Sequence, residues 1–434
     1  MLKGFTRIAW IICFFIIVQT SAQTEPFILG ADISWIQDRE SYGIQYADNG
    51  TVKDILEILK DHKFNYIRLR LFVDPTAVIP NEPESPYSTK GFCNLANTRI
   101  MAKRIKKAGF KFLLDFHYSD TWADPAKQYK PQSWQGLSFN DLKAKVRSYT
   151  KETLEQFKAD GTLPDMVQVG NEIYGGMIWP DGKLSNMSNF AALINAGIDG
   201  VKDVDKNIKI MIHSISKESP SSWLKNLMNA GVNRIDVFGL SYYSEWHGTP
   251  GDLQTKVKEI ANNHSVKIAI AEYADNHDTV NKIIYNLPNK KGAGTFVWEP
   301  ADWDEALFDW VNNRRETNSR IDIYPKLSKL FGNDVSIGGQ PFQNQFSSEN
   351  RIKADLGFVS GSRLHYSFEN TDQAVISVFT FDGKLVKKYT IFSTGKKGLH
   401  TGEIKTLLNP GSYLIKVTTD NGQSFTFRSC VLNQ

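Results

Sequence analysis

From residue 28 to about residue 331, short apolar runs alternate with segments whose apolar positions recur every three to four residues. The apolar runs span 28–35, 66–72, 112–116, 166–170, 208–212, 237–241, 267–271 and 294–298. They are apolar nearly throughout rather than at alternate positions, the pattern of strands covered on both faces in a parallel sheet. The segments between them, among them 52–62, 97–108, 139–158 and 187–204, carry one apolar stripe each and read as surface helices. Eight such alternations over roughly 300 residues predict an α/β fold, a (β/α)8 barrel of the TIM type.

The pattern changes near Asp334, where Ser336-Ile337-Gly338-Gly339-Gln340-Pro341 interrupts it. Beyond lie short β-type runs at 364–368, 375–381, 385–389, 411–418 and 424–430, with turn signals at Asp382-Gly383 and Asp420-Asn421-Gly422. Residues 334–434 are therefore expected to form a small β-sandwich. At the other end, Lys3 and Arg7 precede an uncharged apolar run from Ile8 to Val18, and Thr20-Ser21-Ala22 follows with small side chains. That is the plan of a signal peptide, residues 1–22. The run is shorter than the roughly 20 apolar residues of a membrane anchor. The expected organisation is an export signal, a catalytic barrel over 23–333 and the β-sandwich, in a secreted or cell-surface protein.

Composition then removes several function classes. Without Cys13, which would leave with the signal, only Cys93 and Cys430 remain, too few for a disulfide framework or a metal cluster. A formal net charge of +4 over 434 residues, with no basic tract, speaks against nucleic acid or an anionic membrane as partner. Aromatic residues are more telling. Trp35, Trp122, Trp134, Trp179, Trp246, Trp298 and Trp303 fall near strand ends or in loops, where their faces could stack on sugar rings.

The candidate chemistry lies at the carboxyl ends of the strands, where barrels of this type build their sites. Two apolar strands run directly into a glutamate, Glu172 after Gly170-Asn171 and Glu272 after Ala269-Ile270-Ala271. Ionisable groups are rarely placed where water is scarce, so this placement points to chemistry. Arg68 and Arg70 lie on the second strand, and Asp115, His117, Asp120 and Trp122 follow the third. Tyr242 and Tyr243 follow the sixth strand, and Trp298-Glu299 the eighth. Cleaving a sugar acetal requires one carboxylic acid to protonate the departing oxygen, and a carboxylate to meet the charge growing at the anomeric carbon. Carboxyls about 5 Å apart give retention through a covalent intermediate, and a wider gap gives inversion by water. Glu172 is assigned as proton donor and Glu272 as nucleophile, with Arg68 and Tyr242 placed to keep Glu272 ionised. Asn171 is suited to a sugar hydroxyl.

Several of these stretches form a specific pattern: Gly30-Ala31-Asp32-Ile33-Ser34, Ile67-Arg68-Leu69-Arg70, His117-Tyr118-Ser119-Asp120-Thr121-Trp122-Ala123-Asp124-Pro125, Gly170-Asn171-Glu172-Ile173, Ser241-Tyr242-Tyr243 and Trp298-Glu299-Pro300-Ala301. Over residues 28–331 the chain resembles glycoside hydrolase family 53, the endo-β-1,4-galactanases of clan A. The resemblance implies a retaining hydrolase acting on pectic β-1,4-galactan or type I arabinogalactan. It also implies substrate contacts from Arg68, Asp115, His117, Asp120, Trp122, Asn171, Tyr242 and Trp298. No cofactor is implied. Some bacterial members are expected to hold a structural calcium, for which Asp302, Asp304 and Asp309 offer oxygens without a recognisable ligand spacing. The chain departs from the family pattern after the fifth strand (Ile212-His213-Ser214-Ile215), after Glu272 (Tyr273-Ala274-Asp275-Asn276), and in an insertion from Asn81 to Gly91.

The tail, through Ile376-Ser377-Val378-Phe379-Thr380-Phe381-Asp382-Gly383 and Pro410-Gly411-Ser412-Tyr413-Leu414, resembles the C-terminal sorting domains of type IX secretion. It would make the secretion machinery a partner. A carbohydrate-binding module is the rival, but the tail contains no tryptophan. The protein is expected to act as a monomer. Two other readings remain open: another clan A endo-glycanase such as a mannanase or xylanase, and a non-catalytic surface glycan-binding protein.

Overall fold

The computed structural model describes residues 25–302 and 307–333, and beyond them seven strands between residues 355 and 431. The expected signal peptide and Asp304 lie outside the described residues. Eight parallel strands close into a barrel: β1 Ile28–Asp32, β2 Tyr66–Leu71, β3 Lys111–Phe116, β4 Met166–Val169, β5 Lys209–Ile215, β6 Val237–Ser241, β7 Lys267–Tyr273 and β8 Gly292–Trp298. Neighbours in sequence are neighbours in the ring, and β1 pairs with both β2 and β8. Each strand is followed by a helix: α1 Ile55–Asp61, α2 Leu95–Lys107, α3 Phe139–Ala159, α4 Met187–Val204, α5 Pro220–Asn229, α6 Pro250–Asn263, α7 His277–Tyr285 and α8 Ile323–Leu330.

Local chemistry starts these helices where the sequence changes character. The side chains of Asp54, Asn94, Ser138 and Asn186 each accept a hydrogen bond from a backbone N–H of the first turn, and Thr249 forms a capping box with Asp252. The apolar faces of helices and strands meet in one core, which takes in Leu29, Ile67, Phe112, Val167, Ile210, Phe238, Ile268 and Val297 from successive strands. A second cluster fills the barrel itself, formed by Ile28, Tyr66, Leu113, Met166, Met211, Val237, Ala269, Ala271 and Phe296. It plugs the barrel near the amino ends of the strands, so the polar residues one or two steps further along can gather only at the opposite mouth.

The ends of this unit are tied together. Phe27 N donates to Asn333 Oδ1 (3.1 Å), Asn333 Nδ2 donates back to Phe27 O (2.8 Å), and the Phe27 and Phe331 rings pack edge-on at 4.7 Å. Among the described residues no helix is long and apolar enough to cross a membrane. The chain divides between Val335 and Ser336 into two compact units. The second unit consists of two antiparallel sheets, one of three strands and one of four, as expected of a small β-sandwich. Two of its strands, Asp355–Phe358 and Leu399–Lys405, were not expected from the sequence, and the second carries His400, Thr401, Gly402 and Glu403 in place of an apolar run.

Candidate active site

Alternation along each strand decides which side chains enter the mouth. On β2, Tyr66 belongs to the plug, so Arg68 and Arg70 follow it inward, and both are fully buried. The same count from Leu113 brings Asp115 and His117 in, and from Met166 it brings Gln168. Arg68 organises the result. Its Nη1 donates to Asp32 Oδ2 (2.7 Å), its Nη2 to Asp115 Oδ2 (2.8 Å) and Asn171 Oδ1 (2.9 Å), and its Nε to Gln168 Oε1 (3.1 Å). The same Nη2 lies 2.8 Å from Glu272 Oε1, close enough for an ion pair. The Coulomb attraction of these carboxylates outweighs the cost of burial and holds the guanidinium above even its ordinary range.

Glu172 leaves β4 through a sharp turn. Gly170 has φ +87° and Glu172 itself φ +44°, a left-handed conformation that costs a non-glycine residue energy and recurs at functional sites. Asn171 between them is fixed by Arg68 and by donation from Nδ2 to Ala123 O (2.9 Å). That leaves one amide N–H of Asn171 uncommitted. Burial, and after it the negative charge of Glu272, hold the Glu172 carboxyl well above the ordinary carboxylate range, against an opposing hydrogen bond from Ser241. Such a shift favours the protonated form.

Glu272 reaches the mouth by a different device. By alternation it should point away from the barrel, because Ala269 and Ala271 point in. The register of β7 slips against both neighbours here. Leu240 pairs with Ile270 but Ser241 with Glu272, and Ile270 pairs with Thr295 but Tyr273 with Val297. The extra residue is a β-bulge, which re-aims the glutamate into the site. Burial pushes its carboxyl up to about 7, with Arg68 as the largest opposing influence and Asp32 and Asp115 adding to the rise.

The tyrosine beside Glu272 is Tyr243. Its hydroxyl donates to Glu272 Oε2 (3.3 Å), whereas the fully buried Tyr242 turns outward and donates to Gly248 O (2.9 Å). The reason is again alternation: Val237, Gly239, Ser241 and Tyr243 share the inward face of β6 and its extension. His213 and Gln168 are further members not anticipated as site residues. His213 Nδ1 lies 2.9 Å from Asn171 Oδ1, and its Nε2 lies 2.9 Å from Ser241 Oγ. Burial, then Arg68, push its imidazole well below the ordinary range, so it is neutral. Gln168 Nε2 donates to Asp115 Oδ1 (2.6 Å). A glutamine inside the apolar run 166–170 was the available signal, and His213 stands one residue beyond the run 208–212.

The other expected contacts divide by depth. Asp115 is fully buried between Arg68, Gln168 and His117, and His117 lies 3.1 Å from it through Nε2 while Nδ1 accepts from Ala123 N (3.2 Å). Asp120 accepts from the backbone N–H groups of Asp74 (3.0 Å) and Gln132 (2.7 Å), so it joins two loops. All three are buried and bonded to groups of the protein itself. Trp122 and Trp298 stand at the mouth itself, and with Trp35 they surround Arg70, whose guanidinium carbon lies 4.7, 4.5 and 5.3 Å from the respective ring centres. Glu299 accepts from Arg70 and from Trp35 N (3.0 Å). Asp302, a candidate calcium ligand, instead faces two arginines, Arg315 (2.8 Å) and Arg39 (3.2 Å), and Asp309 accepts from Asn318 Nδ2 (2.9 Å). Among the described residues no cluster of His, Cys, Asp and Glu has the form of a metal site.

The mouth thus holds a carboxyl raised toward its protonated form, a second carboxyl against an arginine, and aromatic faces beside them, a set suited to acid-assisted cleavage of a glycosidic bond. Comparison with known proteins leads to the same place. The model of Glycosyl hydrolase family 53 matches residues 28–281. An endo-β-1,4-galactanase of Bacillus subtilis is 32% identical over 323 residues, covering 65% of this chain and 72% of its own. An arabinogalactan endo-β-1,4-galactanase of Cellvibrio japonicus is 33% identical over 264 residues, 58% of this chain and 67% of its own. The solved catalytic domain of the same family from Ignisphaera aggregans aligns with a TM-score of 0.62 at 32% identity, covering 69% of this chain and 95% of that one. Because the matched span takes in β1 to β7 with both strand-end glutamates, the chain belongs to glycosyl hydrolase family 53 and is a glycoside hydrolase.

Proposed function

We propose that this protein is an endo-β-1,4-galactanase that hydrolyses pectic galactan or type I arabinogalactan with retention of configuration. The observation that carries the mechanism is the unequal pair of carboxyls at the ends of β4 and β7. Burial and the Glu272 charge raise the Glu172 carboxyl well above the ordinary range, and Glu272 lies 2.8 Å from the Arg68 guanidinium. In the first step a Glu272 carboxylate oxygen attacks the anomeric carbon. The bond to the leaving oxygen breaks, and that oxygen takes the proton of Glu172. In the second step Glu172, now a carboxylate, removes a proton from water as the water oxygen attacks the same carbon and Glu272 departs. The substrate is inferred from the galactanases to which the chain is similar.

The test measures reducing ends released from galactan, mannan and xylan by wild type, Glu172→Gln and Glu272→Gln, together with the anomeric configuration of the first product. Release from galactan alone is expected, with a β-configured product. Both variants should fall by about a thousandfold or more, the scale of losing a catalytic acid or nucleophile. Cleavage restricted to mannan or xylan would refute the substrate, and an α-configured first product would refute the nucleophilic role of Glu272.

The proposal extends to location. Residues 1–22 act as an export signal, and the unit beyond Ser336 as a sorting domain for passage across the outer membrane. In the producing cells, a chain ending at Val335 is expected to remain periplasmic while keeping its activity and its affinity for polysaccharide. Loss of polysaccharide affinity on truncation would assign the tail to binding instead.

A further inference from the structure

The bulge that turns Glu272 inward has a second half on the other side of the strand. The extra residue in β7 sends Tyr273 outward, into the core between the barrel and its helices. Around the Tyr273 hydroxyl that core becomes polar. Asn281 Nδ2 donates to Tyr273 Oη (2.9 Å), and Tyr273 Oη lies 2.9 Å from Tyr324 Oη, which lies 3.1 Å from His277 Nδ1. Thr295 Oγ1 donates to Asn281 Oδ1 (2.8 Å), and Asn281 Nδ2 also donates to His277 O (2.8 Å). Tyr273, Asn281, Thr295 and Tyr324 are all fully buried.

These groups lie outside the ring of strands, so none can touch a substrate in the mouth. A polar cluster in an apolar core is also a poor way to add stability, because each group must first lose its water. What a fully bonded cluster does supply is a unique arrangement. The arrangement at stake here is the register of β7. Without the bulge, strict alternation would turn Glu272 outward and Tyr273 inward. Asn281 and Tyr324 would then lose the hydroxyl they share, and a carboxylate would stand in its place among apolar side chains. The bonds come from β8, α7 and α8, so one strand and two helices hold the outer half of the bulge.

We infer that Tyr273 is a positioning residue of the hydrolase: its hydroxyl, bonded to Asn281 and Tyr324, holds the β7 bulge in the register that delivers Glu272 to the mouth. The inference rests on the assignment of Glu272 as nucleophile. Attack needs a carboxylate oxygen aligned with the bond that breaks, and small displacements cost much of the rate. Arg68 (2.8 Å) and Tyr243 (3.3 Å) fix the carboxylate end of the side chain. Tyr273 fixes the backbone from which that side chain springs. Different parts of the protein hold the two ends, so one can be loosened without removing the other.

The test compares wild type, Tyr273→Phe and Tyr324→Phe, each measured well below its melting temperature. Thr150→Val serves as reference, because it removes a buried hydroxyl bond of the same kind, from Thr150 Oγ1 to Tyr118 Oη (2.7 Å), beside β3. Dinitrophenyl β-galactobioside reports on the nucleophile alone, since its leaving group departs without a proton from Glu172. On this substrate and on galactan, kcat/KM is expected to fall about tenfold in Tyr273→Phe, mostly through kcat, and by less in Tyr324→Phe. Thr150→Val should lose stability and keep the wild-type kcat. If Tyr273→Phe does not fold, Tyr324→Phe decides the matter. Lower stability with an unchanged kcat would overturn the inference, and so would a loss confined to galactan. Turnover of the dinitrophenyl substrate by Glu272→Gln at the wild-type rate would instead refute Glu272 as nucleophile, a failure distinct from the other two.

Discussion

At the scale of single residues, Arg68 explains why two chemically identical side chains behave differently. Its guanidinium faces Asp32, Asp115 and Glu272 at once, so buried acidic groups outnumber it. Burial pushes Glu272 to about 7, and the Asp32 and Asp115 charges offset part of what Arg68 gives back. The Tyr243 hydroxyl therefore matters, because it donates to Glu272 Oε2 and favours the ionised form. Removing that donor in Tyr243→Phe makes ionisation harder, which raises the carboxyl further. If Glu272 attacks as a carboxylate, as proposed, the acid limb of the kcat/KM profile should move to higher pH by about half a unit to one unit. The basic limb, which on the same proposal reports loss of the Glu172 proton, should move far less. The profile on soluble galactan from pH 4 to 10 checks this. An acid limb that stayed in place or moved downward would show that Tyr243 does not tune the nucleophile.

At the scale of elements, the two glutamates reach one site by two backbone distortions, a left-handed turn after β4 and a bulge in β7. The turn can be tested because it depends on Gly170. Its φ is +87°, and a Cβ added there would lie 2.6 Å from Ile173 Cγ2. Gly170→Ala should cost about 1–3 kcal/mol in urea unfolding, from the unfavourable backbone region and the clash together. Relief of either shifts Glu172, so kcat on galactan should drop about tenfold or more. Unchanged kcat with lowered stability would mean that the turn supports the fold without aiming the acid.

These distortions also mark where the sequence stopped being informative. The run 237–241 coincides with β6, and the segment 187–204 with α4, because long apolar periodicities and caps are local properties of the chain. The pairing of Glu172 with Glu272 was readable because a glutamate ending an apolar strand is anomalous on its own. The choice between Tyr242 and Tyr243 was not readable without knowing which face of β6 lines the barrel, and that is fixed by Val237 in the plug. His213 stayed hidden for a related reason. Its role lies in bonds to Asn171 and Ser241 on other strands, and nothing in its own neighbourhood announces them.

At the scale of the whole molecule, the barrel unit carries its own closure. The ring of strands has no free edge, because β1 bonds to both β2 and β8. Outside the ring, Phe27 and Asn333 exchange hydrogen bonds through the asparagine side chain, and Phe331 packs on both Phe27 and Tyr285. The clasp therefore joins the start of β1 to the residues just past α8, and it is complete by Asn333. A chain ending at Val335 keeps every member of it, and all of the site residues lie within that unit. Its melting temperature should match that of the barrel transition in the full chain within about 2 °C, and kcat/KM on soluble galactan should agree within about twofold. Ending the chain at Arg320 instead removes α8, Phe331 and Asn333 together. That exposes Phe27 and Phe64, the latter losing the buried Tyr324 ring that packs 4.2 Å from it between ring centres. Losses of this kind amount to about 3–5 kcal/mol for each large buried aromatic removed, so the shorter chain should unfold well below the longer one. Scanning calorimetry of the two truncations decides the matter: if both melt with the full chain, the clasp contributes nothing and closure rests on the strand ring alone.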